Sequence, residues 1–126
     1  MEKKKLAIVD DAEIFINLIK ESLEDFFDIY PIIDSKIAFE EIKKIKPDII
    51  LMDINMPDIN GIDLSNMLLK DKETKKIPII ILTSTEYNKT SENILRGQPN
   101  IYFFLSKLLP IETIKEKIDY ILKQKI

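Results

Sequence analysis

Ile49-Ile50-Leu51-Met52-Asp53 decides the fold: an unbroken apolar run closed by a carboxylate. A strand with one wet face alternates apolar and polar side chains; a strand covered on both faces, as in a parallel sheet, does not. Lys46-Pro47 stands just upstream and stops any preceding helix. Ile79-Ile80-Ile81-Leu82 repeats the pattern and ends in Thr83. These two runs read as neighbouring central strands. Outward from them, Lys5 to Val9 is a first strand ending in Asp10-Asp11, and Ile101 to Leu105 is a fifth, followed by Ser106-Lys107. Ile29 to Ile33 is the second strand; Pro31 within it cannot donate to a ladder, which places it at an edge.

Helical stretches separate the strands. Phe15, Leu18, Ile19, Leu23 and Phe26 fall at helical spacing and form the expected inner face of the first helix, with Ser22 the one polar member. Ser35 is the expected cap of a second helix carrying Ala38, Ile42 and Ile45 inward. A third runs from Gly61 to about Leu69. Glu86 to Leu95 reads as a mostly polar fourth, and Pro110 suits the first turn of a fifth bearing Ile111, Ile114, Ile118, Ile121 and Leu122. Five strands alternating with five helices predict an α/β domain with a five-stranded parallel sheet. An edge second strand and the most apolar third and fourth strands fit a flavodoxin-like (βα)5 three-layer sandwich, whose order 2-1-3-4-5 is taken from that known fold and does not follow from the alternation itself. One domain spanning 1–126 is expected, with no internal repeat or linker.

Composition narrows the chemistry. The chain has no Cys and no His, which excludes thiolate nucleophiles, zinc–thiolate centres, Ser-His-Asp catalysis and histidine ligation. A net charge of −3 argues against direct nucleic-acid binding. No apolar run approaches the roughly 20 residues a membrane helix needs. The basic start at Met1 to Lys5 meets Asp10-Asp11 too soon for a signal-peptide core, so a cytoplasmic location is expected.

In an open parallel sheet, ligands bind beyond the carboxyl ends of the strands. Asp10-Asp11, Asp53, Thr83 and Lys107 all follow apolar runs and are expected to share one crevice. Three close carboxylates repel, and a divalent cation relieves that repulsion. With oxygen ligands alone, Mg2+ is the expected ion. A lysine and a hydroxyl beside them suit a phosphate-like group. Asp53, ending a central strand before the loop Ile54-Asn55-Met56-Pro57, is the best candidate nucleophile toward phosphorus.

The motifs Ile8-Val9-Asp10-Asp11, Asp53-Ile54-Asn55-Met56-Pro57-Asp58-Ile59-Asn60-Gly61, Ile81-Leu82-Thr83-Ser84 and Ser106-Lys107 resemble those of the receiver domain of two-component response regulators, over essentially the whole chain. The resemblance implies that Asp53 is the phosphoacceptor. It implies Mg2+ held by Asp11, Asp53 and the backbone carbonyl of Asn55, with Asp10 acting largely through water. It implies that Thr83 turns toward the phosphoryl group, that Lys107 bridges to it, and that Phe104 occupies the aromatic switch position. Asn55 and Thr85 would tune loss of the phosphoryl group to water. The implied partners are a sensor histidine kinase or a histidine phosphotransfer protein, and a downstream target on the face of the fourth helix, fifth strand and fifth helix. Such a protein is a regulator that assists its own phosphorylation and dephosphorylation, not an enzyme acting on other substrates.

The chain departs from the family pattern in two places. Leu108 follows the lysine where the family usually has a proline after a cis bond; before leucine a cis bond costs about 3 kcal/mol, so a different loop is expected. Arg96-Gly97-Gln98-Pro99-Asn100 is longer than the usual turn before the fifth strand, which leaves Tyr102 and Phe103 as alternatives to Phe104 and points to an altered output surface. A receiver-like interaction module that takes no phosphate is the alternative function, and Leu108 is its support. An Asp-nucleophile phosphatase of the haloacid-dehalogenase kind fits less well, because its nucleophile ends the first strand within an Asp-x-Asp pair. A flavodoxin would need a phosphate-cradling loop where Asp10-Asp11 stand.

Overall fold

The computed structural model describes residues 2–83, 93 and 97–124. The apolar runs form five parallel strands: β1 (Lys4–Val9), β2 (Phe27–Ile32), β3 (Ile49–Asp53), β4 (Ile79–Thr83) and β5 (Ile101–Ser106), hydrogen-bonded in the order β2-β1-β3-β4-β5. Among the described residues, four helices cover the sheet: α1 (Glu13–Leu23), α2 (Ser35–Ile45), α3 (Gly61–Lys70) and α4 (Ile111–Gln124). The last of these is the fifth helix of the sequence reading. The expected helix over Glu86 to Leu95 and the tuning residue Thr85 lie outside the described residues, apart from Asn93.

Alternation along each strand divides the core in two. Ala7, Val9, Ile50, Met52, Ile79 and Ile81 pack against Ala38 and Ile42 of α2 and Leu64 and Leu68 of α3. Leu6, Ile8, Ile49, Leu51, Ile80 and Leu82 pack against Ile16, Ile19 and Leu23 of α1 and Ile114, Ile118 and Ile121 of α4. Burying both faces explains why β3 and β4 show no polar alternation. Pro31 sits on edge strand β2, where its missing N–H leaves the sheet intact.

The structure corrects four local expectations. The inner face of α1 is Ile16, Ile19 and Leu23, while Leu18 is 47 % and Phe26 53 % exposed. Two apolar stripes share Ile19 and Leu23. The helix ends at Leu23, with the Glu24 N–H donating to the Lys20 carbonyl, so Phe26 falls beyond it and Phe27 enters the core as β2 begins, ahead of the expected Ile29. The cap of α2 is Asp34, whose carboxylate accepts from the Lys36 N–H at 2.9 Å; Ser35 is already helical. Pro110 lies one residue before α4, its carbonyl accepting from the Thr113 and Ile114 amides.

The segment before β5 folds onto α3: Gln98 Nε2 donates to Asn66 Oδ1 at 2.8 Å and Asn100 Nδ2 to the Ser65 carbonyl at 3.4 Å. The β4–β5 register then shifts. Ile79 faces Ile101 but Ile80 faces Phe103, so Tyr102 is an extra residue in the strand.

Candidate functional site

Strand register brings the polar groups together. Val9 of β1 is paired with Met52 of β3, so the next residues, Asp10 and Asp53, emerge side by side. Thr83 at the end of β4 is paired with Ser106 of β5, and its carbonyl accepts from the Lys107 N–H at 2.9 Å. The charged residues converge: Lys107 Nζ lies 2.6 Å from Asp10 Oδ2 and 3.6 Å from Asp53 Oδ2. Asp10, Asp11 and Asp53 each offer a carboxylate oxygen within 4.8 Å of the others. Asp10 is 2 % and Asp53 7 % exposed, and Asp11 is open to solvent.

Each group has a local support. Asp10 Oδ1 accepts from the Ala12 N–H at 2.9 Å, and Asp53 Oδ1 from the Asn55 N–H at 3.3 Å. The Phe15 ring, packed against the core on the α1 side as its spacing implies, also lies beneath Lys107, 4.8 Å from Nζ, in a cation–π contact. Burial pushes the Asp53 carboxyl above the ordinary carboxylate range; Lys107 opposes this, Asp10 adds to it, the Asn55 amide opposes and Asp11 adds. Three carboxylates against one ammonium leave the cluster anionic. Its all-oxygen donor set fits a hard divalent cation such as Mg2+.

The loop after Asp53 explains its own sequence. Ile54 and Met56 are buried in the core, so Asn55 between them faces out. Asp58 takes a left-handed backbone, φ 68°, and the Gly61 N–H returns to the Ile54 carbonyl at 2.9 Å. A Cβ on Gly61 would stand 2.7 Å from the Asp53 carbonyl oxygen and 2.9 Å from Ile54 Cα, so this position has no room for a side chain.

Asp10, Asp11, Asp53, Asn55, Thr83 and Lys107 are therefore gathered at one end of the sheet, as expected from the sequence. Phe104 is paired with Ile81 and packs on the α2–α3 side, whereas Phe103 turns to the other side against Tyr120, with ring centroids 6.1 Å apart. Tyr102 is largely exposed. After Lys107, no cis peptide occurs among the described residues, and the Leu108 N–H, which a proline would lack, donates to Ser106 Oγ at 3.0 Å. Sequence reasoning missed Ser35, whose hydroxyl reaches the Pro57 carbonyl and the Ile59 N–H. The adjacent cap-forming pair Asp34-Ser35 was the available signal.

Comparison with known proteins gives one consistent result. The family model for the response regulator receiver domain matches residues 6–119. Chemotaxis protein CheY-3 of Vibrio cholerae is 30% identical over 122 residues, covering 95% of this chain and 92% of the relative. The polar-differentiation response regulator DivK of Brucella ovis is 31% identical over 117 residues, covering 89% and 94%. A crystal structure of a response regulator from Desulfuromonas acetoxidans superposes with a TM-score of 0.83 at 26% identity, covering 96% of this chain and 98% of the other.

Proposed function

The chain belongs to the response regulator receiver domain family, and we propose that it is a phosphorylation switch whose acceptor is Asp53, serving as a single receiver domain over 1–126. The observation that carries this reading is the buried Asp53 carboxylate 3.6 Å from Lys107 Nζ and within one cluster with Asp10 and Asp11. Asp53 Oδ attacks the phosphorus of a phosphohistidine on a sensor kinase or phosphotransfer protein. The P–N bond breaks, its electron pair leaves with the imidazole, and an acyl phosphate remains on Asp53. Lys107 stands where its ammonium can follow the phosphoryl oxygens. Asp11, Asp53 and the Asn55 carbonyl would hold Mg2+, with Asp10 acting largely through water, and the ion would offset charge on the phosphoryl group.

Phosphorylation adds about −1.5 to −2 charge units, by analogy with phosphorylated hydroxyl residues. It favours one of two conformations already in the ensemble. Thr83 turns toward the phosphoryl group and Phe104, behind it on β5, follows. The downstream partner reads that change on the face of β5 and α4 together with the expected helix over Glu86 to Leu95, which lies outside the described residues. Asn55 and Thr85 set the rate at which water removes the phosphoryl group. The protein works in the cytoplasm, and no helix among its described residues is long and apolar enough to cross a membrane.

The test is intact mass after incubation with a small phosphodonor and Mg2+. A gain of one phosphoryl group in the wild type and none in Asp53→Asn is expected. No gain in the folded wild type would overturn the reading in favour of a phosphate-free interaction module.

A further inference from the structure

Ser35 begins α2, yet its hydroxyl does not serve that helix, because Asp34 already caps it through the Lys36 N–H. The side chain is buried, 3 % exposed, and reaches across more than twenty residues of sequence to the loop that follows Asp53. Ser35 Oγ donates to the Pro57 carbonyl and accepts from the Ile59 N–H at 3.1 Å. The Ile59 N–H also approaches the Pro57 carbonyl at 2.8 Å, closing a tight turn around Asp58 at φ 68°. A left-handed aspartate persists only where its surroundings hold it. Here the hydroxyl engages both sides of that turn.

We infer that Ser35 is a positioning residue for the metal and phosphoryl site, fixing the loop so that the Asn55 carbonyl is presented to Mg2+. The inference rests on the proposed function, in which that carbonyl is a ligand. The start of the loop is anchored by Ile54 and Met56 in the core and by the Gly61 N–H on the Ile54 carbonyl. The stretch from Pro57 to Ile59 is fastened through Ser35. Without the hydroxyl, the Pro57 carbonyl loses a donor and the turn keeps only its own internal bond. The loop gains freedom, and the carbonyl two residues before Pro57 gains it too. Groups that orient metal ligands from behind typically govern affinity by 10- to 100-fold.

The test is Mg2+ titration by calorimetry on the whole chain, comparing wild type, Ser35→Ala, Ser35→Gly and Thr74→Val. Thr74 is an equally buried hydroxyl that donates to the Leu68 carbonyl at 2.6 Å, beyond the end of α3, so its loss reports on stability alone. Both Ser35 variants are expected to bind Mg2+ about tenfold more weakly and to take up phosphoryl groups more slowly at fixed Mg2+. Thr74→Val is expected to keep wild-type affinity. Wild-type affinity in a folded Ser35 variant, or an equal loss in Thr74→Val, would overturn the inference while leaving the proposed function intact. Absence of Mg2+ binding in the wild type would overturn both.

Discussion

Replacing Gly61 by alanine sets two physical effects against each other, and the structure decides between them. Gly61 is the first residue of α3, where a glycine-to-alanine change ordinarily stabilises by about 0.4–1 kcal/mol, because alanine loses less backbone freedom on folding. Nothing in its backbone forbids alanine, since φ is not positive. The added Cβ, however, would meet the Asp53 carbonyl oxygen at 2.7 Å and Ile54 Cα at 2.9 Å, against 3.4 Å for ordinary contact. Both neighbours are main-chain atoms, so no side chain can swing away. Overpacking of this kind costs about 1–3 kcal/mol, which outweighs the propensity gain. Net destabilisation of about 1–2 kcal/mol is expected, a fall in Tm of roughly 3–10 °C for a domain of this size. The displaced atoms belong to Asp53 and Ile54, so phosphoryl uptake should fall by more than the loss of folded protein explains. Differential scanning calorimetry at neutral pH gives the sign directly. An unchanged or higher Tm would show that the close approach of α3 to β3 does not constrain this position.

Other perturbations probe the same geometry. In metal-free buffer, Asp53→Asn should stabilise the protein at neutral pH. The Asp53 pKa is raised by burial above its unfolded value, so the ionised form carries a folding penalty that is full above the folded pKa, shrinks as pH falls below it and is gone below the unfolded pKa. The gain measured by urea denaturation should therefore shrink on acidification, and a constant gain would contradict the assigned cause. Lys107→Gln strands Asp10 without its partner at 2.6 Å and should cost about 3–5 kcal/mol, part of it recovered on adding Mg2+; a cost under about 1 kcal/mol would mean the pair behaves as an exposed one. On α1, Ile16→Ala should cost about 2–5 kcal/mol and Leu18→Ala no more than about 0.5 kcal/mol, and the reverse order would restore the face expected from spacing.

The strands and the convergence of the charged residues at one end of the sheet were legible because both follow from where apolar runs stop, whereas the strand order came from likeness to a known fold. Asp10, Asp53, Thr83 and Lys107 each follow a run whose neighbour in the sheet is another such run, so alignment of the strands aligns the charges. The details that escaped depend on rotation or register, which periodicity states ambiguously. Ile19 and Leu23 belong to two possible stripes of α1, and packing on the sheet buries the one with Ile16 while leaving Leu18 half exposed. The extra residue at Tyr102 sets which aromatic of β5 faces α2 and α3; one step of register would put Phe103 in place of Phe104 opposite Ile81. Asp34 and Ser35 are both cap formers, and only the contact with Pro57 and Ile59, distant in sequence, separates their roles.

The acceptor itself is tested most directly by hydride trapping. Hydride reduces an acyl phosphate to the alcohol with loss of phosphate, converting a phosphorylated aspartate to homoserine, which peptide mass mapping locates. After incubation with a small phosphodonor and Mg2+, the expected result is homoserine at position 53 and nowhere else, with none when Mg2+ is chelated. Homoserine at position 10 or 11, or no conversion in folded protein supplied with Mg2+, would contradict the assignment of Asp53 as the phosphoacceptor.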